Sequence, residues 1–126
     1  MGLFSALMGN AGSVSQADLR KNYGTLLLDN EEIELGFKLI RDTFIFTNKR
    51  LIIVDVQGLT GSKTEYVSIA YKAISRFSVE TAGTFDLDAE LKIWVSSETV
   101  PSIRKKFNKS VNVFEVQKVL AFHVLG

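Results

Sequence analysis

The sequence predicts a mainly β domain of the α+β type: seven antiparallel strands forming a barrel or sandwich, capped by a C-terminal helix and preceded by a helical extension. Three observations lead there. From Glu31 to Ser96 apolar residues recur at a period of two, as strands with one face in a core and one in water require. Tight turn clusters such as Arg41-Asp42 and Asn48-Lys49 separate the runs, and such turns join antiparallel neighbours. After Val111 the spacing becomes helical.

Met1 to Gly9 reads as a short apolar helix closed by a glycine, followed by the loose Asn10-Ala11-Gly12-Ser13. It has neither the basic n-region nor the apolar length of a secretory signal, and Ala6 stands where a myristoylation pattern wants Ser or Thr. Ser15 offers an N-cap, and Ala17, Leu19, Tyr23, Leu26 and Leu27 form an apolar stripe, so a helix is expected over 15–27, broken by Asp29-Asn30. The extension is therefore 1–28 and the barrel domain 29–126.

In the first strand Ile33, Leu35, Phe37 and Leu39 face the core while Glu32, Glu34, Gly36 and Lys38 face water. Thr43 to Thr47 and Arg50 to Asp55 complete a three-stranded meander with Phe44, Phe46, Leu51 and Ile53 inward. Gly58 and Gly61 mark a longer hairpin loop before a fourth strand at 63–70, with Val67 and Ile69 inward. Lys72 to Ile74 is a connector, Ser75 to Thr81 a fifth strand with Phe77 and Val79 inward, and Ala89 to Ser96 a sixth with Leu91 and Ile93 inward. Ser102 to Phe107 is a seventh, and a helix over 111–124 buries Val116 and Leu120.

Composition bounds the function. The 126 residues are 46% hydrophobic and 23% charged, the size of one soluble domain that buries its core without staples. The absence of Cys removes a disulfide framework, a thiolate zinc site and a cysteine nucleophile. The longest nearly unbroken apolar stretch, Val119 to Leu125, is far short of the roughly 20 residues of a membrane-spanning helix, and a cytoplasmic location is the default expectation. The formal net charge is +1. Residues 100–126 hold a local basic cluster of Arg104, Lys105, Lys106, Lys109 and Lys118 against Glu115, which is too small a footprint for a nucleic-acid binder.

Two long blocks are more specific than any pattern. Phe44 to Ile52, running through Phe46-Thr47-Asn48-Lys49-Arg50-Leu51-Ile52, and Phe77 to Trp94, running through Phe77-Ser78-Val79-Glu80-Thr81-Ala82-Gly83 and Phe85-Asp86-Leu87-Asp88-Ala89-Glu90-Leu91-Lys92-Ile93-Trp94, closely resemble the bacterial pleckstrin-homology (PH) domain family. Phe37 to Asp42, Gly58, Gly61, Tyr66, Ser68-Ile69 and Tyr71-Lys72 extend the resemblance over roughly 29–126. It implies a PH-like barrel plugged by its last helix, and a tendency toward ring-like homo-oligomers.

Chemistry has little to work with. His123 is the single histidine and lies in an apolar helix, where packing suits it better than general-base work. Asp86, Asp88 and Glu90 lack the spacing and glycine of a calcium loop and read as a solvated turn, and Gly58 and Gly61 have no Lys-Ser/Thr pair behind them to make a phosphate loop. No enzyme, metal or cofactor is expected. Ile45, Ile52, Val54 and Trp94 point away from the core by alternation, and clustered apolar residues seldom stay in water. They are covered by a second copy of the chain, or they are buried within the chain by strong bending of the barrel or by the helix at 15–27. With Phe122 and Leu125 they are the expected subunit interface of a cyclic homo-oligomer, to which Leu3, Phe4, Leu7 and Met8 could add. Open sheet edges would remain for a protein or peptide partner. The alternative is a peripheral module for anionic lipid headgroups or phosphates, using Lys38 and Arg41 in the positions the resemblance suggests, with Arg104, Lys105, Lys106 and Lys109; contact with a membrane surface is the less favoured reading.

Overall fold

In the computed structural model the described residues are 14–81, 89–107 and 111–126. They hold seven antiparallel strands in two sheets, a short helix before them and a longer one after. The chain divides into two compact units, one ending at Ile69 and the other beginning at Ala70.

The first unit starts with helix α1, Gln16–Tyr23, followed by a 3-10 turn over Gly24–Leu26. Ser15 caps it as expected, its extended backbone letting Oγ accept from the Asp18 N–H at 3.2 Å. Strands β1 (Ile33–Lys38), β2 (Thr43–Thr47), β3 (Arg50–Gln57) and β4 (Lys63–Ala70) follow in spatial order. Leu35, Phe37, Phe44, Phe46, Leu51 and Ile53 are buried as the alternation requires, and the Phe37 and Phe46 rings meet edge to face at 6.3 Å.

The opposite face of this sheet is buried too. Gly36 pairs with Ile45, and Ile45 with Ile52, so these residues form one row across three strands. Leu19 of α1 sits on that row and joins Ile33, Ile45, Ile52 and Val54 in one buried cluster, flanked by Val14, Tyr23, Leu26 and Leu27. A Cβ at position 36 would lie 2.6 Å from Leu19 Cδ1, so the mid-strand glycine provides the room into which the helix settles. Gly36 is therefore covered rather than facing water. Ile33 also departs from simple alternation: the register shifts between Ile33 and Leu35, and this bulge pairs Ile33 with Thr47, on the α1 side of the sheet. Burying aliphatic side chains of this size stabilises by roughly 1.5–3 kcal/mol each, which makes the segment from Val14 to Leu27 an integral part of the unit.

The same segment closes the free edge of β1. The Val14 N–H donates to Gly36 O at 2.9 Å, and Gln16 Nε2 donates to the carbonyls of Ile33 and Glu34, each at 3.0 Å. At one end of the sheet the β1–β2 turn closes with Leu39 N–H on Asp42 O at 2.8 Å. Gly58 and Gly61 adopt φ of +84° and +70° in the β3–β4 turn, a region that suits glycine.

The second unit opens with a 3-10 turn over Tyr71–Ala73, then β5 (Ile74–Thr81), β6 (Ala89–Val95) and β7 (Ile103–Phe107) in that spatial order, and helix α2, Val113–Val124. Asn112 caps α2 by accepting from the Phe114 N–H at 3.1 Å. Val113, Val116, Val119 and Leu120 form its buried side, against β5 and the 71–73 turn. Val67, Phe77 and Val79, expected in the core, are only half-buried. Each lies on an edge strand, β4 or β5, where an inward side chain has a neighbouring strand on one side alone.

Candidate interaction surfaces

Ile45, Ile52 and Val54 do lie on the face of their sheet opposite Phe44, Phe46, Leu51 and Ile53, but α1 of the same chain covers them. They are thus not open for a neighbour, and of the coverings the sequence allowed, the one by the N-terminal helix of the same chain is found. Trp94 is also largely covered, at 8% exposure. The Arg76 guanidinium carbon lies 3.9 Å over its ring centroid, and the indole Nε1–H donates to Thr99 O at 3.3 Å. With Ser75, Glu98 and Thr99 these two residues line a surface cleft of about 410 Å³.

Phe122 and Leu125 are exposed, at 56% and 76% of their surface, and Phe114 is exposed beside them. Residues 114, 118 and 122 follow at i, i+4 and i+8, and Leu125 lies three beyond Phe122, so one side of α2 carries an apolar stripe crossed by Lys118. His123 explains why Phe122 stands where it does. Its ring stacks on the buried Tyr71 at 4.1 Å and 4°, and the Phe122 ring meets it edge-on at 5.1 Å. The histidine packs the end of the helix, as its sequence context suggested.

The basic residues of the alternative reading divide between the two units. Arg41 donates from its guanidinium to Gly58 O, tying the β1–β2 turn to the β3–β4 turn. Lys38 is exposed at the end of β1. These two belong to the first unit, whereas Arg104, Lys105 and Lys106 belong to β7 of the second. Arg104 is 3.9 Å from Glu90, Lys106 faces Glu90 in the register, and Lys92 bridges Glu80 at 2.9 Å, holding the Glu80 carboxyl below the usual carboxylate range. Lys105 is half-buried. Lys109, Asp86, Asp88 and the apolar start Leu3, Phe4, Leu7 and Met8 lie outside the described residues. Among the described residues no group of three or more His, Asp or Glu is placed to hold a metal ion.

Two features went unread in the sequence. One is an ion pair on a buried carboxylate, its arginine partly exposed: Glu31 receives Arg50 Nε on Oε2 at 2.8 Å and Arg50 Nη2 on Oε1 at 2.9 Å, with Thr47 Oγ1 at 2.6 Å and the Leu28 N–H at 3.1 Å. Arg50 also donates to Leu26 O and Ser68 Oγ. The Arg50 hydrogen bonds pull the Glu31 carboxyl down from 4.5 to about 2, against a smaller opposing effect of burial. The other is a pair of aliphatic tips. Ile40, in the β1–β2 turn, is 81% exposed, and Leu59, in the β3–β4 turn, is wholly exposed. An aliphatic residue inside each turn was the available signal.

With seven strands in two antiparallel sheets and a closing C-terminal helix, the chain has the PH-like architecture, and it belongs to the bacterial PH domain family, which it matches over residues 2–124. Among its relatives is the uncharacterised protein YjqA of Bacillus subtilis, 54% identical over 121 residues, or 96% of this chain and 97% of YjqA. Among solved structures, a pleckstrin homology domain from Shewanella amazonensis is 50% identical with a TM-score of 0.83, covering 99% of this chain and all of that one. A DUF1696 family protein with a pleckstrin-homology domain from Shewanella loihica is 48% identical, with a TM-score of 0.77 over 92% of this chain and 98% of its own. No helix among the described residues is long and apolar enough to cross a membrane.

Proposed function

We propose that this chain is a non-catalytic PH-like interaction module that works as a homo-oligomer, its copies joined in a ring. The observation that supports this reading best is the exposed stripe of Phe114, Phe122 and Leu125 on α2. The helix already buries Val113, Val116, Val119 and Leu120 within its own unit, whereas Phe114, Leu125 and the outer part of Phe122 stay exposed. The subunit contact is accordingly assigned to α2 rather than to Ile45, Ile52 and Val54. The cleft at Trp94 and the exposed side chains of β4, the last strand of its sheet, are surfaces for a protein or peptide partner. Anion recognition has weaker support, since Arg41 donates to Gly58 and Arg104 stands near Glu90. Light scattering on the purified chain at micromolar concentration tests the reading. The wild type is expected at a multiple of the 14.0 kDa monomer mass, and Phe122→Asp with Leu125→Asp at the monomer mass. A monomeric wild type overturns it.

A further inference from the structure

A bulge in β5 brings Arg76 and Trp94 together. Ile74 pairs with Val95 and Arg76 with Trp94, so Ser75 is the extra residue, and its hydroxyl donates to the Trp94 carbonyl at 3.3 Å. The β6–β7 loop then folds back on the indole. Ser96 turns the chain at φ +56°, uncommon for a residue with a side chain, and its N–H donates to Ala73 O at 2.7 Å. Thr99 O accepts the indole N–H at 3.3 Å. These contacts shape the cleft of about 410 Å³ lined by Ser75, Arg76, Trp94, Glu98 and Thr99.

The cation in this cleft is held but not neutralised. The Arg76 guanidinium lies against the indole ring, and among the described residues it makes no hydrogen bond or ion pair. A stacked guanidinium still has its N–H donors to offer, and because the ring positions it in advance, less freedom is lost when an acceptor arrives. Glu98 lines the same cleft without pairing with Arg76, its carboxylate accepting from Ser102 Oγ. The carboxylates further along this face of the sheet, Glu80 and Glu90, are met by Lys92 and Arg104.

We infer that this cleft binds the C-terminal carboxylate of a peptide: Arg76 takes the carboxylate, and Glu98 accepts the amide N–H of the same terminal residue. This rests on the reading of the cleft as a surface for a peptide partner. The ligand class follows from the groups on display. A planar carboxylate matches the fork of a guanidinium and can be held by two parallel N–H donors. One cation and one anion in the same cleft suit a ligand that is anionic and carries a donor beside its charge, as the last residue of a peptide does. A phosphate group brings more negative charge up to Glu98, which opposes it.

The test follows the Trp94 indole N–H signal by NMR, which is unambiguous because the chain has a single Trp. The full chain is titrated at pH 7 and constant ionic strength with N-acetyl-trialanine, whose carboxylate is free, and with its C-terminal amide. The acid is expected to shift the signal saturably, and the amide to bind about tenfold more weakly, as the loss of a charge-assisted pair requires. Arg76→Lys keeps the charge but not the fork and is expected to weaken the acid by a similar factor, whereas Arg76→Gln abolishes its binding. Inorganic phosphate is expected to leave the wild-type signal in place and to move it in Glu98→Gln. Acid and amide that bind equally overturn the carboxylate contact and leave the cleft standing as a peptide surface. No saturable shift with either peptide overturns both. Acetate that binds as tightly as the tripeptide, or phosphate that binds the wild type more tightly, reveals an adventitious ion only and overturns the inference. So does an Arg76→Lys chain that binds the acid as the wild type does.

Discussion

Replacing Glu31 by Gln isolates the free energy of a buried carboxylate held by a single arginine. In the folded chain Glu31 is buried and accepts from Arg50, Thr47 and the Leu28 N–H, and its pKa stands at about 2 against an ordinary 4.5. Because the folded value is depressed, the stabilisation is complete above the ordinary value and is lost as pH falls through 4.5 toward 2. At about 1.4 kcal/mol per tenfold change in proton affinity, the interval corresponds to about 3 kcal/mol. Urea unfolding of wild type and Glu31→Gln at a series of pH values is the assay. The difference between the two stabilities is expected to be about 3 kcal/mol at pH 7 and to shrink steadily below about pH 4.5, because protonated Glu31 resembles the amide. A difference that stays constant over that range would refute the assignment of the stability to the ionised pair.

Other expectations follow from the same unit and its neighbour. Leu19→Ala should lower unfolding stability by about 2–5 kcal/mol, since it empties the middle of the cluster beneath α1; urea midpoints report it. Removing residues 1–28 bares Ile45, Ile52 and Val54 together, and the truncated chain is expected to bind a hydrophobic dye and aggregate at concentrations where the whole chain does not. Arg76→Ala should cost no more than about 1 kcal/mol but shift Trp94 fluorescence to the red, because the guanidinium is what covers that face of the indole. Ser15→Ala should cost about 1 kcal/mol through loss of the α1 cap, read by thermal unfolding.

The strands were legible because period two is a direct consequence of backbone geometry: β2 and β4 have the expected bounds, and the others agree at their ends to within two residues. Alternation also placed Ile45, Ile52 and Val54 on the correct face. What alternation cannot convey is what lies over a face, and the decisive residues, Leu19 and Gly36, are seventeen positions apart in different elements. Ile33 is buried as expected but on the other face of the sheet, since one bulged residue reverses the face of everything before it. The Glu31–Arg50 pair is long-range and involves residue types that ordinarily lie in water, so no local pattern announces it. Of the expected interface, the exposed helix end was readable because Phe122 and Leu125 fall off the stripe that packs inward.

The hollow above Gly36 ties two distant positions into one shared volume. Leu19 occupies space that any other residue at position 36 would claim for its own Cβ, 2.6 Å from a leucine methyl and 3.3 Å from the Phe44 carbonyl oxygen. A substitution at 36 therefore has to be answered at 19: Gly36→Ala alone forces the Leu19 methyls to shift within their buried cluster, whereas Gly36→Ala with Leu19→Ala leaves the new methyl room in the same hollow. Measured singly, both changes look damaging; measured together, the pair is expected to cost less than the sum. The two positions should drift through related sequences as partners, so that the bulk at one foretells the bulk at the other.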